Sequence, residues 1–344
     1  MTSASERAAA TAVFRRGGPP VAAGTSIGPD GQPDYGYFGP ATVVWRVLTH
    51  PAVPSMIAQV TGLLEVAEAG LFSAVFDHDP LTRATLRGRV RPSMVNDRLR
   101  RTVGVPVPII LGDKHTADRV AAHLRRFHSR MQGTIPATGE PYDAAGSDLV
   151  VFAHVTIMHA ALLVYERTAF EGGLPRRLDD EDRDRYFAEA ARFGELMGAR
   201  PEDIPRSVAQ VHEYYRNHAP QYYRRGGDEP VLVGTLLAIV RMLRHPGDVD
   251  TALIMLVLMA SGIAAFGIVP GPVRRLYGIP KVADPLVATA FRLTQPLYAL
   301  LAIPPIGDRV NTYVAGPDAV SLARSARQLM HRAHSPRHLW RAAS

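Results

Sequence analysis

Residues 147–168 read SDLVVFAHVTIMHAALLVYERT, and between Asp148 and Glu166 the stretch carries no formal charge. Its length and pattern predict a helix that is apolar on every side. Such a helix has no wet face and must be enclosed by other elements. The rest of the chain supplies helices to enclose it. TVVWRVLTHPAVPSMIAQVTGLLEVAEAGLFSAVF reads as a short helix ended at His50-Pro51, then a second running toward Phe76. Asp79-Pro80 starts another, with Asp79 as cap, and Asp77 beside it reads the same way. DKHTADRVAAHLRRFHSRMQG has Asp113 or Thr116 as cap, a stripe of Val120, Leu124 and Phe127, and Gly133 near its stop. DDEDRDRYFAEAARFGELMG and PEDIPRSVAQVHEYYRNHAP follow, then apolar helices near 230–244, 250–269 and 284–302. No period-two strand series, Gly-rich βαβ fingerprint or internal repeat interrupts them. The expected fold is all-α, in a single large helical domain over residues 41–316. Residues 1–40, rich in Gly and Pro, read as a flexible arm, and 317–344 as a basic tail.

The run TALIMLVLMASGIAAFGIVPGP, residues 251–272, is about long enough to span a bilayer. It is also rich in Gly and Ala and stops at Pro270. A buried core helix, a membrane-surface segment and a span all remain open for it. The chain opens without a long apolar stretch before a cleavage site, so no secretory signal is expected. That placement is cytoplasmic, with contact at a membrane surface in view.

The chemistry is bounded by what is missing. The chain has no cysteine, which removes disulfides, thiolate-ligated haem, iron–sulfur clusters and a cysteine nucleophile. There is no Glu-x-x-His pair for a di-iron bundle, no His-Glu-x-x-His, no G-x-S-x-G elbow and no P-loop. His123 and His128 are five apart, as are His154 and His159. Five residues leave two side chains roughly 140° apart on a helix, so neither pair chelates one ion from one face. The net charge of +7 suits an acidic membrane surface or an anionic cofactor. No nucleic-acid module accompanies it, and no nucleic-acid partner is expected.

What remains is a helical protein with histidines on apolar helices. Haem needs one imidazole and an apolar slot. His128, near the end of its helix, reads either as a surface helix end or as a ligand. His154 lies deep in the apolar helix and must find a partner. It reads as a core histidine bonded to a carbonyl or carboxylate, as a pocket-lining residue, or as an iron ligand.

Six pieces, in order, carry a resemblance: VVWRVLTHPAV, AVFDHDP, RLRRT, AAHLRRFHSRMQG, GEPYDAAGSDLVVFAHVTIMHAALLVYE and MGARPEDIPRSVAQVHEYY. Over residues 36–225 the chain resembles the MpaB / latex clearing protein (rubber oxygenase) family of haem-dependent oxygenases. The resemblance implies a globin-like core around haem b (iron), with O2 and an apolar, isoprenoid or otherwise unsaturated molecule as substrates. It places a proximal histidine about thirty residues after an Arg-x-x-Lys-Thr motif, which implies His128. Arg98 and Thr102 carry over directly, whereas Arg101 stands where the rubber oxygenases have a lysine over the distal face. A guanidinium does not readily coordinate iron, so the distal side is expected to be open or differently gated. Arg98 and Arg101 suit haem carboxylates by their fork geometry. Arg101 and Thr102 suit bound O2 as donors, and His154 lies near the cofactor. Two alternatives stand beside this: a non-catalytic haem- or lipid-binding helical protein at a membrane surface, and a family member that has lost haem.

Overall fold

A computed structural model of the protein describes residues 18–218, except 88, 90, 137, 172 and 173, together with 249–333. The expected apolar helix is α8, Ser147–Thr168, buried along most of its length. It passes a bilayer test by length and composition, yet its side chains form the protein core. Helices α2 (Pro54–Glu65) and α9 (Asp180–Met197) pack along it, and α1 (Val43–Leu48) crosses one end. The all-α expectation is borne out. The described strands form two small antiparallel hairpins, β1 (Gln132–Thr134) with β2 (Pro141–Asp143) and β3 (Phe170–Glu171) with β4 (Leu174–Pro175).

Local chemistry explains most boundaries. In α1 the Thr42 hydroxyl accepts from Trp45 N, and the buried indole donates to Ile110 O at 2.9 Å. The helix expected to run toward Phe76 is two helices. The Glu68 carboxylate accepts from the amides of Gly70 and Leu71, so it caps a new helix, α3 (Ala69–His78), where the sequence suggested continuity. Asp79 caps α4 (Pro80–Leu86) through Leu81 N, but Asp77 instead accepts from Tyr142 OH at 2.6 Å. Helix α5 (Pro92–Leu99) runs into a π-helical turn over Arg100–Gly104, then α6 (Val107–Leu111).

Helix α7 spans Lys114–His128, with Asp113 as cap through Thr116 N at 2.8 Å. Its expected stripe holds at Val120 and Leu124 but fails at Phe127, which is 50% exposed. Gly133 is not its stop but a strand residue opposite Tyr142, whose ring leaves no room for a side chain there. Helix α9 ends where Gly198 adopts φ +103°. Helix α10 (Val208–His218) closes the first described block, and the helix expected near 230–244 lies outside the described residues.

The second block runs α11 (Val249–Ile268), α12 (Gly271–Leu276), α13 (Asp284–Leu301), α14 (Pro304–Val314) and α15 (Pro317–Ala333). Helix α11 packs between α2 and α13. The start of the segment read as a tail is therefore a docked helix. Arg327 of α15 donates to Asp308 of α14 at 2.7 Å and to Thr49 O at 3.0 Å. Residues 18–40 hold no helix, as expected of an arm, but they are pinned. Ser26 donates to Asp113 at 2.7 Å, Tyr37 OH to Asp118 at 2.8 Å, and Ala22 pairs with Gly112.

Candidate functional site

A narrow apolar slot opens between α2, the π turn, α6 and α8. Val53, Ile57, Val103, Ile157 and Phe193 form much of its wall, and two hydroxyls, Thr61 and Thr102, interrupt it. It encloses ≈ 70 Å³, well below the roughly 300–1,000 Å³ of common ligand pockets. In this form it suits a diatomic gas or the leading edge of a thin chain.

The two hydroxyls differ. Thr102 donates to Arg98 O at 2.9 Å and accepts from the Arg98 guanidinium. Thr61 Oγ1 is buried and finds no partner among the described residues. An unsatisfied buried hydroxyl costs about 1–3 kcal/mol, and a guest in the slot is what it is placed to meet. Sequence reading missed Thr61. Its only signal is a polar residue at slot-facing helical spacing from Pro54 and Ile57 of α2.

Behind Thr102 lies a charged cluster. Arg98 Nε donates to Asp79 at 3.2 Å, so Asp79 serves as helix cap and as counter-ion. Glu65, at the end of α2, accepts from Thr156 of α8 at 3.4 Å. Burial drives its carboxyl up to about 7, against the pull of the Arg98 charge and the Thr156 hydroxyl. It can hold or release a proton near neutral pH. Sequence reading missed Glu65 as well.

The expected site residues divide. Arg98 and Thr102 come together beside the slot. Arg101 is exposed, donating to Asp97 O at 3.2 Å, and does not close the slot. His128 ends α7, with its ring 5.9 Å from Phe127, and is not on the slot wall. Burial alone pushes its imidazole below the usual range, which favours the neutral, ligating form. His154 stands behind the slot, its ring stacked 6.1 Å from Phe193, which lines it. Its Nδ1 is buried without a hydrogen-bond partner among the described residues. Burial, then the nearby Arg206 charge, lowers this imidazole to about 4, against Glu195. Gly194 makes the stacking possible, because a Cβ there would lie 3.0 Å from the His154 ring.

An open concavity of ≈ 720 Å³ beside α4 and α5 is edged by Arg83, Arg87, Arg89 and Arg91. Among the described residues, no three histidine, aspartate or glutamate side chains converge as they would to hold an ion directly.

The fold and the slot together define an all-α domain with a narrow apolar slot in its interior. A family model described as the catalytic domain of the ER-bound oxygenase mpaB/B' and rubber oxygenase matches residues 45–300. The chain belongs to that family. Comparison with the curated proteins and with the solved structures finds no match.

Proposed function

We propose that this oxygenase-family domain uses haem b, held by His128 as proximal ligand, to bring O2 to an apolar unsaturated substrate of isoprenoid type. The observation that carries the reading is the apolar slot with Thr61 on its wall, a hydroxyl that has no partner among the described residues. The donor chemistry suits haem: burial lowers the His128 imidazole below its usual range, which favours the neutral form. Arg98 and Arg101 have the fork geometry that matches the cofactor's carboxylates. At ≈ 70 Å³ the described slot does not accommodate haem, and His128 is not on its wall, so this reading requires the site to open toward the end of α7. When bound, haem supplies the iron at which O2 is activated, and that chemistry is the cofactor's own.

The chain's residues do the rest. The apolar wall excludes water. Thr61 offers its hydroxyl hydrogen to an oxygen in the slot, while Thr102, whose own hydrogen is committed to Arg98 O, is held in place on the wall. Glu65 holds a proton close to the Arg98–Thr102 pair. His154 supports Phe193 from behind.

The first test is a visible absorption spectrum of the purified protein before and after dithionite, for the parent and for His128→Ala. A Soret band in the parent, lost or shifted in the variant, is the expected result. A parent that shows none even after haem is supplied refutes the haem reading and leaves family membership untouched.

A further inference from the structure

We propose that the α13–α14 elbow, together with the outward stripe of α11, seats this protein on an anionic bilayer surface. Leu286 and Leu293, seven apart on α13, are 72% and 77% exposed, and Leu300 continues the row. Exposed positions between 285 and 306 are apolar except for Thr289 and Arg292. At Ala302 and Ile303 the chain turns by 102° into α14, which brings Ile303 and Ile306 to the same corner. On α11, Leu256 and Ile263 repeat the seven-residue spacing. A monomer rarely leaves so much contiguous apolar surface to water.

The opposite face of α13 is committed to the protein. Tyr298 OH donates to Ser261 of α11 at 2.8 Å, and Phe291 packs where Gly267 lacks a side chain. A helix apolar on its outer half, packed on its inner half and sharply bent at its end lies in an interface and does not cross one.

Charge selects the occupant. The acids of this segment are neutralised internally. Asp284 accepts from Arg274 at 3.1 Å and Arg275 at 2.5 Å, and Asp308 pairs with Arg324 at 3.2 Å and Arg327 at 2.7 Å. Lys281, Arg292 and Arg309 are exposed around the apolar face. A symmetric pairing of two copies through this face would bring like charge to like charge, with Asp284 and Asp308 of this segment already paired. Acidic headgroups answer that charge.

The surface also leads inward. Leu258, Val310 and Val314 pack with Ile57, Ala58 and Val103, and the last three line the slot. Taken with the proposed activity, this continuous apolar packing places the slot directly beneath the docking face. Docking itself does not depend on haem or on turnover.

The test is co-sedimentation of the full chain with vesicles of phosphatidylcholine alone and of phosphatidylcholine with phosphatidylglycerol. The parent is expected to pellet with the anionic vesicles. Leu286→Asp combined with Leu293→Asp is expected to weaken that binding by about tenfold or more, with an unchanged circular dichroism spectrum. Arg292→Gln is expected to weaken it on anionic vesicles only, and carries the test if the double variant fails to fold. A parent that stays in the supernatant with both compositions overturns the proposal. So does a dimer in sedimentation that the double variant splits, because the face then covers a second copy. Neither arm reads haem content or activity.

Discussion

Glu65 is the carboxyl whose protonation depends most on the fold. Burial raises it from 4.5 to about 7, so in the folded state it binds a proton that the unfolded chain has released. Its contribution to stability is fully present below about 4.5 and is lost as pH rises through 7. Glu65→Gln is therefore expected to match the parent near pH 4.5. It should be more stable than the parent by up to about 3 kcal/mol above pH 7, as read by urea unfolding across that range. His50, His154 and His159 act in the opposite sense. Burial, their largest influence, lowers each from 6.5 to about 4, so the stability they allow above 6.5 is lost as pH falls toward 4. Thr61 presents a different balance. Thr61→Val keeps the shape and removes an unsatisfied hydroxyl, so stability should hold or rise by about 1 kcal/mol. Oxygen uptake with an unsaturated substrate should fall. Unchanged uptake would remove Thr61 from the site. Neither residue was legible in the sequence. Glu65 reads there as a helix-end glutamate, and what buries it is α8, with Thr156 lying 91 residues away.

At the scale of elements, the π turn at Arg100–Gly104 decides where the motif RLRRT points. A π turn carries one residue more than an α turn and commonly re-aims side chains at a site. Here it leaves Thr102 on the slot wall and Arg101 in solvent. Gly104 lets the turn lie against the Ala315 carbonyl, where a Cβ would collide with backbone. Gly104→Ala is expected to cost about 2 kcal/mol or more in denaturant unfolding, and to displace Thr102 with it. Helix ends were readable because their chemistry is local: Asp113 and Asp79 as caps, Gly198 and Pro270 as stops. The π turn was not, since RRTVG carries the signals of an ordinary basic helix. The break before α3 hid for a similar reason, because a capping glutamate looks like a surface one.

At the scale of the molecule, the apolar character of residues 147–168 fixed the class and the centre of the fold before any contact was known. The family was legible from the order of six pieces, and the matched region, residues 45–300, extends well past the last of them. The relation of His128 to the slot was not legible, because it depends on how far apart the ends of α5 and α7 are held by the hairpin and by α8. Helix α15 raises a separate matter. Arg327 reaches Thr49 O across 278 positions of chain, and Asn311 donates to Pro51 O across 260. The end of α1 and the turn after it are thus held in part by groups from far along the chain. During synthesis α8 and α9 reach α1 and α2 midway, but the faces of α2 that α11 and α14 cover stay open until those later helices emerge. Closing such distant contacts is slow. A nascent chain of this protein is therefore a natural client for chaperones that shield apolar helices.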